Sequence, residues 1–140
     1  MSEEKRLKIG VLQGSGPPPG YFWSVAVIDF VFEEAIPILT EPGYEHMAMQ
    51  VRGLAAQADP THSDTVDIKP IEDFHEIRDR GSMFEGRNVR LFFGVDKGRK
   101  VIVPLGAISK QNNGPTPTGD KVRMRRRWRN YLRGDYGYLS

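Results

Sequence analysis

Three cationic residues at strand-compatible spacings carry the chemistry this sequence offers. Arg78 closes Phe74-His75-Glu76-Ile77-Arg78, Arg90 opens the apolar run that follows, and Lys110 ends that run. A guanidinium has a fixed charge and a planar fork matched to phosphate oxygens, whereas an ammonium can also exchange a proton. Cations gathered at the ends of adjoining strands suit an anionic partner. Arg80 and Arg87 flank the glycine-bearing connection between the two segments, and Arg125, Arg126, Arg127 and Arg129 crowd the C-terminal region. All six are candidate contacts to nucleic acid. Each cation also has a plainer role open to it: Arg90 pairing across strands with Glu76, Lys110 as a solvated strand end.

The elements that must position these residues follow from patterning. Asn88–Lys110 predicts a hairpin, because Val89, Leu91, Phe93 and Val95 alternate, Val101, Val103 and Leu105 alternate on the return, and Asp96-Lys97-Gly98 supplies the turn. Both alternating sets are expected on one core-facing face. Residues 74–78 form the preceding strand, with Glu76 and Arg78 on one face and His75 and Ile77 on the other. Tyr21–Ile28 is the first strand. A short helix over Phe30–Leu39, distorted or ended by Pro37, is followed by a second that restarts at Thr40-Glu41-Pro42. Its stripe of Tyr44, Met47, Val51, Leu54 and Ala58 packs on the sheet. Thr118 caps a last helix reaching Leu132, with Met124, Trp128, Tyr131 and Leu132 inward and arginines elsewhere. The fold class is therefore α+β: an antiparallel sheet of about four strands, two N-terminal helices and a basic C-terminal helix. Residues 1–20 are an extension ending in a Pro/Gly linker, and 21–140 are a single domain.

Composition narrows the function. The net charge of +2 conceals an asymmetry: residues 1–86 hold 7 Lys/Arg against 15 Asp/Glu (net −8), and residues 87–140 hold 13 against 3 (net +10). Such a basic half is the footprint of a polyanion partner, or is neutralised by the acidic half of the same chain. With Cys 0 there are no disulfides, thiolate nucleophiles or zinc–cysteine sites. No apolar run is long enough to span a membrane and no secretory leader is evident, so a cytoplasmic protein is expected. His46 reads as a surface residue and His62-x-Asp64 as a solvated turn, so no metal or other cofactor is expected.

The order FHEIR, a glycine-containing turn, VRLFFGVDKGRKVIVPLGAISK, a proline-bearing loop and a basic helix resembles the RelE/HigB-like toxins of type II toxin–antitoxin systems, in particular their phage-derived branch. The resemblance spans about residues 22–133 and is sharpest over 74–117. It implies a metal-independent endoribonuclease acting on mRNA presented by the ribosome and neutralised by a cognate antitoxin protein, as a monomer or a homodimer. Such cleavage helps a 2′-hydroxyl attack its own phosphate. The resemblance places Arg90 at transition-state charge stabilisation, Arg78 at phosphate positioning and Lys110 at proton transfer or leaving-group stabilisation. His75, Glu76 and Tyr131 are reserve acids or bases. The sequence has one lysine, Lys110, where these toxins often have two, and no histidine after His75. The alternative is a non-catalytic phage or prophage protein of the same fold that binds nucleic acid or an acidic host protein. A third is a relative directed at gyrase.

Overall fold

A computed structural model describes residues 17, 19–26, 29–64, 66–79, 88–110 and 115–134. Its elements are β1 (Ser24–Val25), α1 (Asp29–Ala55), β2 (Asp67–Ile71), β3 (Phe74–Asp79), β4 (Asn88–Asp96), β5 (Val101–Lys110) and α2 (Thr118–Leu132). The strands form one sheet in the order β1-β5-β4-β3-β2. Strands β2 to β5 form an antiparallel meander, and β1 joins β5 in parallel. The class is α+β as the patterning predicts, but the sheet has five strands and is mixed rather than wholly antiparallel.

The two extra features have local causes. β2, Asp-Ile-Lys-Pro-Ile, lacks an apolar alternation and contains Pro70, which a sheet tolerates at an edge, where β2 lies. β1 is shorter than the expected Tyr21–Ile28. Tyr21 and Phe22 are exposed, while Trp23 is buried and donates from Nε1 to the Gln57 carbonyl at 2.9 Å. The expected pair of N-terminal helices is one element, α1, broken at Thr40 (φ 67, ψ 167), two residues before Pro42. A proline two residues along removes a backbone donor and crowds the preceding turn, so the chain leaves helical geometry there. Pro37 lies within the first arm without ending it.

The helices cover opposite faces of the sheet. From α1, Ala35, Leu39, Met47, Val51 and Leu54 pack with Ile77, Val89, Leu91, Phe93, Ile102 and Ala107. From α2, Met124, Trp128 and Tyr131 pack with Phe74, Phe92, Val101, Val103, Leu105 and Ile108. The two alternating sets of the hairpin therefore face opposite sides, not the same one. Val95 lies across from Ile102, and residues directly opposite share a face, so Ile102 rather than Val101 joins the row of Val95. With both faces covered, β4 is buried at consecutive positions from Val89 to Gly94.

Two glycines let α2 approach. A Cβ on Gly94 would lie 2.4 Å from Trp128 Cε3, and one on Gly106 would lie 2.6 Å from Met124 Cε. The register shifts by one residue between Phe92 and Phe93, so that β5 bulges at Leu105. At the start of α2 the N-cap position is Pro117, with no side-chain cap, and Thr118 is already helical. Leu132, expected inward, is exposed.

Candidate nucleic-acid interface

The candidate site is built at the far end of β3 and β4 from their turns. Cross-strand pairing sets Arg78 opposite Arg90 and, two residues along, Asn88 opposite Lys110. The three predicted cations thus fall on adjoining strands, as the patterning requires; the Lys110 side chain lies outside the described residues. Arg80, Arg87 and most of the N-terminal extension also lie outside them.

Two arginines directly opposite each other on a sheet repel, and Glu76 relieves that repulsion. Its carboxylate is fully buried on the same face, 3.6 Å from Arg90 Nη1 and 3.4 Å from Arg78 Nη2. Thr116, just before α2, completes the group. Its hydroxyl accepts from Arg90 Nη1 at 3.0 Å and gives its one proton to the carboxylate, lying 2.7 Å from Oε1 and 3.0 Å from Oε2. Burial pulls the Arg90 guanidinium below its ordinary value, Glu76 opposes this, and Arg78 adds to it. Glu76 is the reserve acid/base residue that joins this cluster.

Exposure separates the two arginines. The Arg90 side chain is 1% exposed and faces Glu76 and Thr116, whereas Arg78 is 20% exposed and its buried Nε bonds to no described residue. A cluster of two guanidinium groups and one carboxylate carries a net positive charge in a partly desolvated setting. Fields there are less screened than in open water. Arg78 is the group through which that charge meets solvent.

His75 and Tyr131 are not brought to this cluster. His75 lies on the α1 face, stacked on Phe93 with ring centroids 5.6 Å apart, and its Nδ1 is buried without a partner among the described residues. Burial lowers its pKa, and the weaker influence of Asp59 in the opposite direction does not offset that. Tyr131 lies at the other end of β4, donating to Asp96 Oδ2 at 2.8 Å. Burial and that carboxylate push its pKa up.

The arginines of α2 divide into two sets. Arg125 makes a bidentate pair with Glu72, at 2.7 and 2.5 Å. Arg127 makes another with Glu34, at 3.0 and 2.9 Å, and donates to the Leu105 carbonyl at 2.7 Å. Carboxylates of the acidic half thus meet these two, which brace the helix against α1 and the β2–β3 turn. Arg126 and Arg129 are exposed and outside these pairs. Thr116 went unnoticed as a site residue because nothing in its polar, proline-bearing loop marks one threonine for burial.

No protein-family model, curated protein or solved structure matches the chain. Among the described residues no group of His, Asp and Glu is arranged to hold a metal ion, and no helix is long and apolar enough to cross a membrane.

Proposed function

We propose that this domain is a RelE/HigB-like toxin, an endoribonuclease that cuts mRNA presented by the ribosome and is held in check by an antitoxin protein. The supporting observation is the net-positive Arg78–Glu76–Arg90 cluster beside the backbone position of Lys110, Arg90 and Lys110 belonging to the half of the chain with surplus positive charge. In the proposed reaction the 2′-oxygen attacks phosphorus, the bond from phosphorus to the 5′-oxygen breaks, the 2′-proton passes to solvent water, and a proton from Lys110 reaches the 5′-oxygen. Arg78 contacts the phosphate and stabilises the charge that develops on it. Arg90 works from behind, its charge held by Glu76 and Thr116. Lys110 is the proton donor to the leaving oxygen. Arg126 and Arg129 contact flanking phosphates, adding affinity that falls as salt rises.

A specific observation favours a second reading, nucleic-acid binding without cleavage. His75 and Tyr131 lie away from the cluster, and Glu76 is occupied by Thr116 and two arginines, so Lys110 is left as the proton-exchanging candidate. Inducible expression in a bacterial host, with mRNA ends mapped by primer extension, separates the two. Growth arrest with codon-phased new ends, abolished by Arg78→Ala and Lys110→Ala, is the expected result. Intact mRNA and unimpaired growth would leave binding as the better account, and arrest without new ends would point to a protein target.

A further inference from the structure

Attack by a 2′-hydroxyl needs a proton acceptor as well as a donor. Lys110 serves as the donor, and Glu76 is buried and already engaged by Thr116 and two arginines. The register of the edge strand supplies another carboxylate. Asp67 of β2 pairs directly with Arg78, and Lys69 pairs with Glu76. Residues directly opposite on an antiparallel pair share a face, so Asp67, Lys69, Glu76, Arg78 and Arg90 stand on one side of the sheet. The apolar residues of β2 agree with that placement: Ile71, in step with Asp67 and Lys69, packs against the core under α2, and Ile68 against the core under α1.

Across the strands, Arg90, Arg78 and Asp67 form a row that runs outward from the core. Their side chains are 1%, 20% and 58% exposed in that order, and β2 is the last strand of the sheet, so RNA can reach Asp67 from the side. The Cβ atoms of directly opposed residues lie about 5 Å apart, which leaves room for a hydroxyl between the carboxylate and a phosphate seated on Arg78. Arg78 turns its Nη2 to Glu76 at 3.4 Å, and Asp67 Oδ1 is met by Lys69 Nζ at 3.8 Å. The carboxylate therefore stands beside the guanidinium without being consumed by it. As an ion pair, the exposed contact with Lys69 adds little stability. A carboxylate here also repels a phosphate, which is a cost to a surface that only binds and a requirement for one that takes a proton.

From this we infer that Asp67 is the general base of the site, an assignment that rests on the ribonuclease reading of the Arg78 cluster. As the bond from the 2′-oxygen to phosphorus forms, the 2′-proton moves to the Asp67 carboxylate. The bond from phosphorus to the 5′-oxygen breaks, Lys110 protonates that oxygen, and Asp67 then releases its proton to solvent water, from which Lys110 regains one. Lys69 orients the carboxylate.

The full chain is assayed on ribosomes carrying a defined mRNA, with the cut followed in a single turnover against pH and against protein concentration. Asp67→Asn lowers the maximal rate about 100-fold or more, leaves the half-saturating concentration no higher, and removes the rise of rate with pH that the native chain shows. The charged groups facing Asp67 are Lys69 on its own strand and Arg78 and Glu76 on β3; Lys69→Ala keeps that rise, which assigns it to the carboxylate. Asp67→Glu recovers at least about tenfold of the lost rate, because the proton acceptor returns on a longer arm. Asp73→Asn, which removes an exposed carboxylate from the same hairpin, cuts at the native rate. Cutting by Asp67→Asn within about twofold of the native rate, or a loss matched by weaker half-saturation, overturns the assignment and leaves the ribonuclease reading standing. No cut by the native chain removes both.

Discussion

Replacing Glu76 by glutamine tests the architecture of the site. The side chain keeps its size, but two guanidinium groups on paired strands lose their counter-charge, one of them only 1% exposed. Removing one partner of a buried ion pair costs about 3–5 kcal/mol, because the remaining charge stays desolvated. Against a total stability of about 5–15 kcal/mol, that is a large fraction. At roughly 2–4 °C per kcal/mol for a chain of this size, Tm should fall by about 10 °C. Urea unfolding followed by tryptophan fluorescence provides the free energy, with Trp128 seated against Gly94 as the reporter. Replacing the group by apolar residues, Glu76→Leu with Arg90→Met and Thr116→Val, should recover most of the loss, since no buried charge is then left unpaired in the triad. A Glu76→Gln variant within about 0.5 kcal/mol of the native chain would refute the reasoning. It would mean that water reaches the cluster, and Arg90 would then be free to touch a phosphate directly.

Three further outcomes follow from the same geometry. Arg78→Ala, at a position 20% exposed, should leave urea stability within about 1 kcal/mol while lowering RNA affinity and reducing the salt slope by about 0.7. Gly94→Ala should destabilise by about 1–3 kcal/mol in the same assay, because its Cβ would lie 2.4 Å from Trp128 Cε3 and α2 would have to move. His75 is held below its ordinary pKa, so the folded state binds fewer protons than the unfolded one. Its contribution is fully present above the unfolded value of about 6.5 and is lost as pH falls below it. The fall in urea midpoint between about pH 7.5 and 5.5 should be smaller in His75→Phe.

Much of the architecture was legible because burial writes itself into period and punctuation. The hairpin, the face assignment of Glu76 and Arg78, and the break near Thr40-Glu41-Pro42 all have local signals. Which faces the two hairpin strands present was not legible. That depends on pairing Val95 with Ile102, and β4 and β5 are apolar at consecutive positions because a helix covers each side. β2 was missed because an edge strand needs no apolar alternation, and the parallel contact of β1 because it is long-range. In the site, the possible pairing of Arg90 with Glu76 was visible from alternation. The burial of both, and the closure of the group by Thr116, required the position of α2. Arg125 and Arg127 resembled their neighbours in sequence, and only the placement of Glu72 and Glu34 distinguishes them.

The chemistry of the cut ends tests the central claim most directly. Attack by a 2′-oxygen that expels the 5′-oxygen leaves a 2′,3′-cyclic phosphate on the upstream fragment and a 5′-hydroxyl on the downstream one. End-group analysis of mRNA from cells expressing the native chain should find both at the same codon-phased sites, and neither should accumulate with Arg78→Ala. Fragments ending in 3′-hydroxyl and 5′-phosphate, or no fragments from a folded and abundant protein, would contradict the account.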